Sequence, residues 1–322
     1  MTTLNAKNGA AEPPADRTAL AIALAMLGVT CITFADIATK WISTDISLWQ
    51  LLTMRSIVGL VLILPVLLLS RRLSSLQIKN FRALAIRTLI MCITYVLFFT
   101  SLGQLPLAIV AGAFFAGPMF MVVLSVIMLK EPVGIWRILS VVSGFIGVIL
   151  ILRPDSADFA LIMLMPVASG FFYALAQVYT RKYCKQEDPL AISYWLTFTF
   201  MLMGLSGMLG VHWLDNGNTT HFLNHPAVIT SLIPTLIIAT IGISSLIMHF
   251  SMAAAYQNAP ASLIAPLEYM YLPMAVMGGM IWLDETPSFS AIVGISIIIV
   301  AGLIIAWREK VMRRKLRQQT GN

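Results

Sequence analysis

The sequence predicts an all-α integral membrane protein with ten transmembrane helices in two inverted five-helix halves. Three observations predict it: an apolar composition, about ten apolar runs of bilayer length, and a resemblance between the two halves of the chain. Of the 322 residues, 59% are hydrophobic and 11% are charged, against roughly 45 to 50% apolar and about 25% charged in soluble proteins. One soluble core cannot hide this apolar surplus, so we expect lipid to surround the protein.

Apolar runs long enough to cross a membrane recur along the whole chain. A spanning helix needs about 20 mostly apolar residues to cross about 30 Å of hydrocarbon. The predicted spans cover residues 18–40, 48–70, 83–104, 107–129, 134–152, 158–181, 189–211, 228–255, 261–283 and 288–307. Charged residues and prolines separate them, as at Lys130 to Pro132 and Asp284 to Pro287, and such residues favour turns.

The basic residues predict an orientation. With both termini in the cytoplasm, eighteen of the 21 lysines and arginines lie on the inner side, including five between Arg71 and Arg87. Lys40 and Arg153 then lie outside, and Arg55 lies within a span. Cytoplasmic loops carry such an excess of basic residues. We therefore expect a multi-pass protein of the cell inner membrane with cytoplasmic N and C termini.

The two halves of the chain resemble one another. A shift of 154 residues superposes residues 104–111 on 258–265, and a shift of 141 aligns the end of the first span with the end of the sixth. Two copies of five spans each must lie upside down relative to each other, which is typical of alternating-access carriers. The expected organisation is a cytoplasmic tail over 1–17, a first repeat over 18–152, a second repeat over 158–307 and a basic cytoplasmic tail over 308–322.

Short motifs in both halves carry a family resemblance. They are Leu105-Pro-Leu-Ala, Gly117-Pro-Met-Phe, Leu129-Lys-Glu-Pro, Gly144-Phe-Ile-Gly-Val, Leu152-Arg-Pro, Ala265-Pro-Leu-Glu-Tyr and Asp284-Glu-Thr-Pro. With them the chain resembles the EamA-like, ten-span branch of the drug/metabolite transporter (DMT) superfamily. The resemblance implies two EamA repeats and transport, but it does not choose among amino acids, S-adenosylmethionine, riboflavin, amines and metallophores as substrates.

Three charged residues fall inside predicted spans: Asp36, Arg55 and Glu268. An ionised side chain near the bilayer centre is costly, so such residues usually face protein or water and serve function. Arg55 is a candidate anchor for an anion, while Asp36 and Glu268 are candidates to hold a cation or a coupling proton. A structural salt bridge between Asp36 and Arg55 is the open alternative. The repeat places Glu268 opposite the apolar Phe114, so the symmetry is broken at a charge.

Polar-tipped rings provide further candidates for substrate binding or coupling. His249 titrates near neutral pH and aligns with Tyr95. The remaining candidates are Phe99, Tyr173, Gln177 and Tyr269, because aromatic faces bind cations and flat rings alike. For each ring, plain helix packing stays open as the alternative.

The most consistent function is a secondary transporter that moves a small polar organic metabolite by alternating access. The chain contains no Walker glycine loop and no catalytic motif such as Gly-x-Ser-x-Gly or His-Glu-x-x-His, so we expect no enzyme. An intramembrane enzyme for lipid-linked substrates and a sensory or structural membrane protein are the alternatives. We expect a small-molecule substrate with optional proton coupling, a surrounding lipid bilayer, no cofactor, no metal, no nucleic acid, and a monomer or homodimer.

Overall fold

The computed structural model describes residues 15–69, 73–130, 134–154, 156–157, 159–213, 222–223, 232–259 and 261–320. Most of the predicted N-terminal tail and Glu131 lie outside these residues. The α-helices in chain order are α1 (Ala15–Ile42), α2 (Leu48–Leu69), α3 (Phe81–Leu102), α4 (Leu107–Phe114), α5 (Gly117–Leu129), α6 (Ile135–Leu152), α7 (Leu164–Tyr183), α8 (Pro189–Trp213), α9 (Leu232–Asn258), α10 (Ala261–Glu268), α11 (Tyr271–Trp282) and α12 (Phe289–Thr320).

The described part of the chain is helical without strands, as the apolar runs predict. Seven segments are long and apolar enough to cross a bilayer, and two shorter apolar helices cover Ile138–Leu152 and Phe289–Ile304. The ends of the helices have local causes. The Asn80 side chain accepts a hydrogen bond from the Ala83 amide at the start of α3, and Pro106 precedes α4. A proline with its fixed φ is well tolerated at a helix start.

Two of the predicted spans are broken into half-helices. The predicted span 107–129 consists of α4 and α5, and the span 261–283 consists of α10 and α11. Both breaks fall at equivalent positions, since Phe115 and Tyr269 are 154 residues apart. The turns after the broken helices also match, because Lys130 and Asp284 both adopt left-handed backbone with φ of 56° and 52°.

The helix directions show that the halves are inverted. We call the place where α1 ends and α2 and α4 begin the Lys40 end of the bundle, and the place where α7 ends and α3 and α8 begin the Arg181 end. At the Arg181 end, Glu187 accepts a hydrogen bond from the Lys79 amide just before α3. Helix α1 therefore runs toward the Lys40 end, whereas its counterpart α7 runs away from it.

The two ends of the bundle are packed differently. At the Lys40 end the half-helices α4 and α11 pack directly against each other. At the Arg181 end α5 packs on α7 and α10 packs on α1 and α12, and in the described part of the chain α5 and α10 make no comparable contact with each other. The halves therefore meet through their half-helices at the Lys40 end only, and we call the region between them on the Arg181 side the cleft.

Candidate functional site

Arg55 lies on α2 with its guanidinium against two rings of α3. Its Cζ atom lies 5.3 Å from the ring centroid of Tyr95 and 5.3 Å from that of Phe99. These rings are four residues apart on one helix face, and Phe200 of α8 packs on Tyr95 at 4.3 Å. Among the described residues no oxygen accepts a hydrogen bond from Arg55, so the rings position a guanidinium whose donors are free to bind an anion.

Asp36 is buried and bonded to a residue beside a helix break. The Tyr271 hydroxyl donates a hydrogen bond of 2.7 Å to Asp36 Oδ2, and the Tyr271 ring stacks on Phe115 at 5.7 Å and 11°. Arg55 acts electrostatically on Asp36, but the described residues contain no ion pair between them. The alternative of a direct Asp36–Arg55 salt bridge is therefore wrong. Asp36 instead connects α1 to the first residue of α11.

Glu268 ends α10 at this same break and belongs to a polar group with α7. Tyr173 and Gln177, one turn apart on α7, share a side-chain hydrogen bond, and the charges of Glu268 and Arg87 both act on Tyr173. Glu268 is partly exposed. The structure thus brings a carboxylate, an amide and a phenol together from two halves of the chain, at the depth of the helix break.

His249 faces the interior of the bundle. It lies on α9 and is exposed, yet it is close enough to Arg55 and Arg87 for both charges to act on it. Those arginines belong to α2 and α3 of the first half, whereas His249 belongs to the second half. His249 therefore joins the same site as Arg55.

Tyr269 lies apart from this group. Its side chain is 9% exposed and packs on Phe115 at 5.5 Å. A β-carbon added to Gly302 of α12 would collide with the Tyr269 ring, so the ring fills a space that only glycine leaves open. The structure thus places Tyr269 between helices, where it holds the break of α10 and α11 against α12.

Arg87 is a site residue that the sequence analysis missed. The basic-residue pattern placed Arg87 on the inner side of the membrane and gave it no further role, yet its side chain is only 7% exposed. Arg87 lies on the face of α3 that packs against α7, where its Nε donates to Thr180 Oγ1 at 3.3 Å. One signal could have found it. The 154-residue shift places the charged Arg87 opposite the apolar Ile241, just as it places Glu268 opposite the apolar Phe114.

A partly buried ion pair lies at the Lys40 end. The Lys40 ammonium pairs with Glu285 and donates to the Leu105 carbonyl oxygen. Glu285 also accepts a hydrogen bond of 2.7 Å from the Leu107 amide, the first residue of α4, where a carboxylate is favoured by the helix dipole. These contacts join α1, the start of α4 and the turn after α11.

The group of residues in the cleft has the composition of a binding site. Among the described residues no three His, Cys, Asp or Glu side chains are placed to hold a metal ion. The cleft instead offers guanidinium groups, a carboxylate, an imidazole and aromatic faces drawn from both halves. Such a site can bind and orient a polar molecule with a flat ring.

Comparisons with known proteins agree on one family. The sequence profile of the EamA-like transporter family matches residues 19–153 and 160–307. An uncharacterized transporter of Helicobacter pylori is 29% identical over 237 residues, which cover 73% of this chain and 76% of that protein. A riboflavin transporter of Brucella anthropi is 27% identical over 84% of this chain and 92% of its own length.

Two further matches are another transporter and a solved structure. An S-adenosylmethionine uptake transporter of Rickettsia conorii is 26% identical over 64% of this chain and 65% of its own length. A solved crystal structure matches with a TM-score of 0.61 over 91% of this chain and 98% of that chain, at 14% sequence identity. At that identity the structural match shows a shared fold alone.

Proposed function

The chain belongs to the EamA-like transporter family, and from this premise we propose that it carries a small, ring-bearing polar metabolite by alternating access. The family resemblance expected from the sequence is thereby confirmed, and the names of the relatives are those of transporters rather than enzymes. The observation that supports the mechanism is the unequal packing of the half-helices: α4 packs on α11 at one end of the bundle, while α5 and α10 make no comparable contact at the other in the described part of the chain.

We propose ten membrane spans. Eight are single helices, or in the case of α7 a helix with a short 3-10 turn before it, and the other two are the broken pairs α4 with α5 and α10 with α11. This division supports a first repeat over 18–152 and a second over 158–307, with cytoplasmic tails over 1–17 and 308–322. Broken helices at a repeat interface are typical of carrier binding sites.

The orientation follows from the positive-inside rule. The Arg181 end carries most of the basic residues, and we place it in the cytoplasm of the inner membrane, with both termini on that side. The described conformation is then inward-facing, because the cleft is closed at the Lys40 end. Rocking of the halves would open the Lys40 end and bring α5 and α10 together.

The substrate class follows from the residues of the cleft. Arg55 with Tyr95 and Phe99 offers a cation and two rings, and Glu268 offers an anion near Tyr173. Riboflavin and S-adenosylmethionine, which name two relatives, both combine a flat heteroaromatic ring with polar groups. We therefore propose a metabolite of this kind, whose ring packs between α2 and α3 and whose polar groups reach α7 and α10.

Flux into proteoliposomes tests the function. Purified protein is reconstituted, and uptake of labelled riboflavin and S-adenosylmethionine is followed against protein-free liposomes. We expect saturable, protein-dependent uptake of at least one compound, reduced by Arg55→Gln and unchanged by Arg82→Gln, which removes an exposed charge on α3. Equal permeability with and without protein, for both compounds and for a broader metabolite mixture, would contradict carrier function.

Proton coupling is the second part of the proposal, and Glu268 is our candidate for the proton site. Its carboxylate lies at a helix break, where protonation can change the packing of α10. In proteoliposomes with an imposed pH gradient, Glu268→Gln should abolish accumulation of substrate while exchange of internal for external substrate continues. Accumulation with unchanged pH dependence in this variant would exclude Glu268 from coupling.

A further inference from the structure

Arg87 is a buried cation with little to neutralise it. Its side chain is 7% exposed, and its recorded hydrogen bond joins Nε to Thr180 Oγ1. The Nη1 nitrogen is buried without any hydrogen-bond partner. A guanidinium has five donors in a rigid fork, so leaving one nitrogen of it buried and unbonded is costly unless another molecule binds there.

The groups around Arg87 do not supply a counter-charge. Those that act on it electrostatically are the thiols of Cys184 and Cys92 and the phenols of Tyr95 and Tyr173. These groups are thiols and phenols rather than carboxylates. In the described part of the chain no carboxylate acts on the Arg87 guanidinium.

The position of Arg87 relates it to the site around Arg55. Arg87 and Tyr95 are eight residues apart on α3, which is about 12 Å along the helix, and Arg55 lies over the Tyr95 ring. His249 is within electrostatic reach of both arginines. The two guanidinium groups therefore lie near one another at different depths of the bundle, with Arg87 nearer the Arg181 end.

The inverted repeat supports a function at Arg87 beyond packing. Its counterpart 154 residues later is Ile241, which is fully buried and apolar. The scaffold therefore accommodates an apolar residue at this position. A charge that appears in one half and not in the other fits a ligand that is itself asymmetric.

We propose that Arg87 binds an anionic group, a carboxylate or a phosphate, of the transported metabolite. The inference rests on the proposed function and adds to it a charge on the substrate. With its ring at Tyr95, such a molecule reaches Arg87 with an acidic group about 12 Å away, a distance set by the rise of α3. The same chemistry would also suit the phosphate of a lipid headgroup, which the experiment distinguishes.

Thermal unfolding of the purified protein in detergent tests the anion site. The probes are inorganic phosphate and acetate, compared with sodium chloride at equal ionic strength. A ligand that binds the folded state raises the apparent melting temperature, so we expect a saturable rise with phosphate or acetate. Arg87→Gln should weaken this binding about tenfold or more, since charge-assisted hydrogen bonds are lost, while Arg82→Gln should leave it unchanged.

Two further measurements separate the possible outcomes. Arg87→Lys, which keeps the charge without the planar fork, should retain a weaker rise and covers the case in which Arg87→Gln does not fold. Phosphatidylglycerol in mixed micelles tests the lipid source: an Arg87-dependent stabilisation by this lipid, without one by phosphate or acetate, would overturn a substrate site. No rise with either small anion, or an equal rise in Arg87→Gln, would also overturn it.

The result is independent of the flux assay. Riboflavin or S-adenosylmethionine uptake without an anion-dependent rise would refute the role of Arg87 and leave the carrier function in place. An Arg87-dependent rise in a protein that moves no metabolite would support the anion site and refute the proposed function.

Discussion

Charged side chains inside the bundle are each held in a different way. Lys40 has a carboxylate partner, Asp36 a phenol, Arg55 two aromatic rings and Arg87 a single hydroxyl. A buried charge with a close partner of opposite sign is largely neutralised, whereas one held by neutral groups keeps its attraction for an external ion. Arg55 and Arg87 are therefore better placed to bind a ligand than Lys40.

The hydrogen bond from Tyr271 to Asp36 should contribute strongly to stability. Tyr271→Phe removes the donor and leaves a buried carboxylate oxygen unpaired, which costs about 1 to 3 kcal/mol. We expect a lower thermal unfolding midpoint in detergent. Tyr194→Phe is the control, since in the described part of the chain no hydrogen bond involves the Tyr194 hydroxyl. Equal midpoints for the two variants would show that the bond contributes nothing.

Arg55 should discriminate between acidic and neutral substrates. If its guanidinium binds a carboxylate, Arg55→Gln lowers the apparent affinity for acidic substrates about tenfold or more and spares neutral analogues. Arg55→Lys keeps the charge but loses the planar fork of donors and part of the ring contact. Its apparent affinity for acidic substrates should therefore lie between those of the unmodified protein and of Arg55→Gln. Competition in the proteoliposome assay measures all three proteins. A uniform loss for acids and neutral compounds would indicate a folding role instead.

At the residue scale the sequence predicts which charges lie in the membrane better than it predicts their partners. Asp36, Arg55 and Glu268 stand out because they interrupt apolar runs. Arg87 and Lys40 lie near span ends, where a basic residue usually serves as a topology anchor. Only the packing of α3 on α7, and of the turn after α11 on α1, shows that Arg87 is buried and Lys40 partly buried. Those contacts join residues far apart in sequence.

At the scale of the helices, the internal repeat predicts more of the structure than the hydropathy pattern does. The 154-residue shift, found from the motifs alone, also relates the ends of α4 and α10 at Phe114 and Glu268. Hydropathy does not reveal the breaks themselves, because the runs 107–129 and 261–283 stay apolar across them. The chain breaks where Phe115 and Tyr269 pack on each other, a tertiary contact that periodicity cannot show.

The contacts of Glu285, in the turn after α11, with Lys40 and with the start of α4 should hold the Lys40 end closed. Glu285→Gln removes the partner of Lys40 and weakens the contact with α4, and leaving a largely buried charge without its partner is destabilising. We expect this end to open more often. In a background without the native cysteines, Ala108→Cys, buried in α4, should then react about tenfold or more faster with a maleimide.

Two controls accompany this measurement. Gln104 is exposed beside the same turn. The rate at which Gln104→Cys reacts with the maleimide should therefore not depend on Glu285→Gln. Exchanging the charges with Lys40→Glu and Glu285→Lys should restore part of the slow reaction at position 108. If the rate at position 108 is the same with and without Glu285→Gln, the ion pair does not hold this end closed.

At the scale of the whole molecule the function depends on two halves that are alike in fold and unlike in charge. Their likeness allows the same packing to form at either end of the bundle, which is the structural basis of alternating access. Their differences, Arg87 against Ile241 and Glu268 against Phe114, fall in the cleft. The fold is thus predictable from the repeats, whereas the site depends on where the repeats differ.

Distances between spin labels test this account most directly, in a variant without the native cysteines. One pair, Gln104→Cys with Asp284→Cys, reports on the Lys40 end, and the pair Lys130→Cys with Asn258→Cys lies at the equivalent positions of the Arg181 end, 154 residues away in each case. Without substrate we expect a short distance for the first pair and a longer one for the second. Added substrate should change the two distances in opposite directions, whereas changes of the same sign, or none at either end, would contradict alternating access.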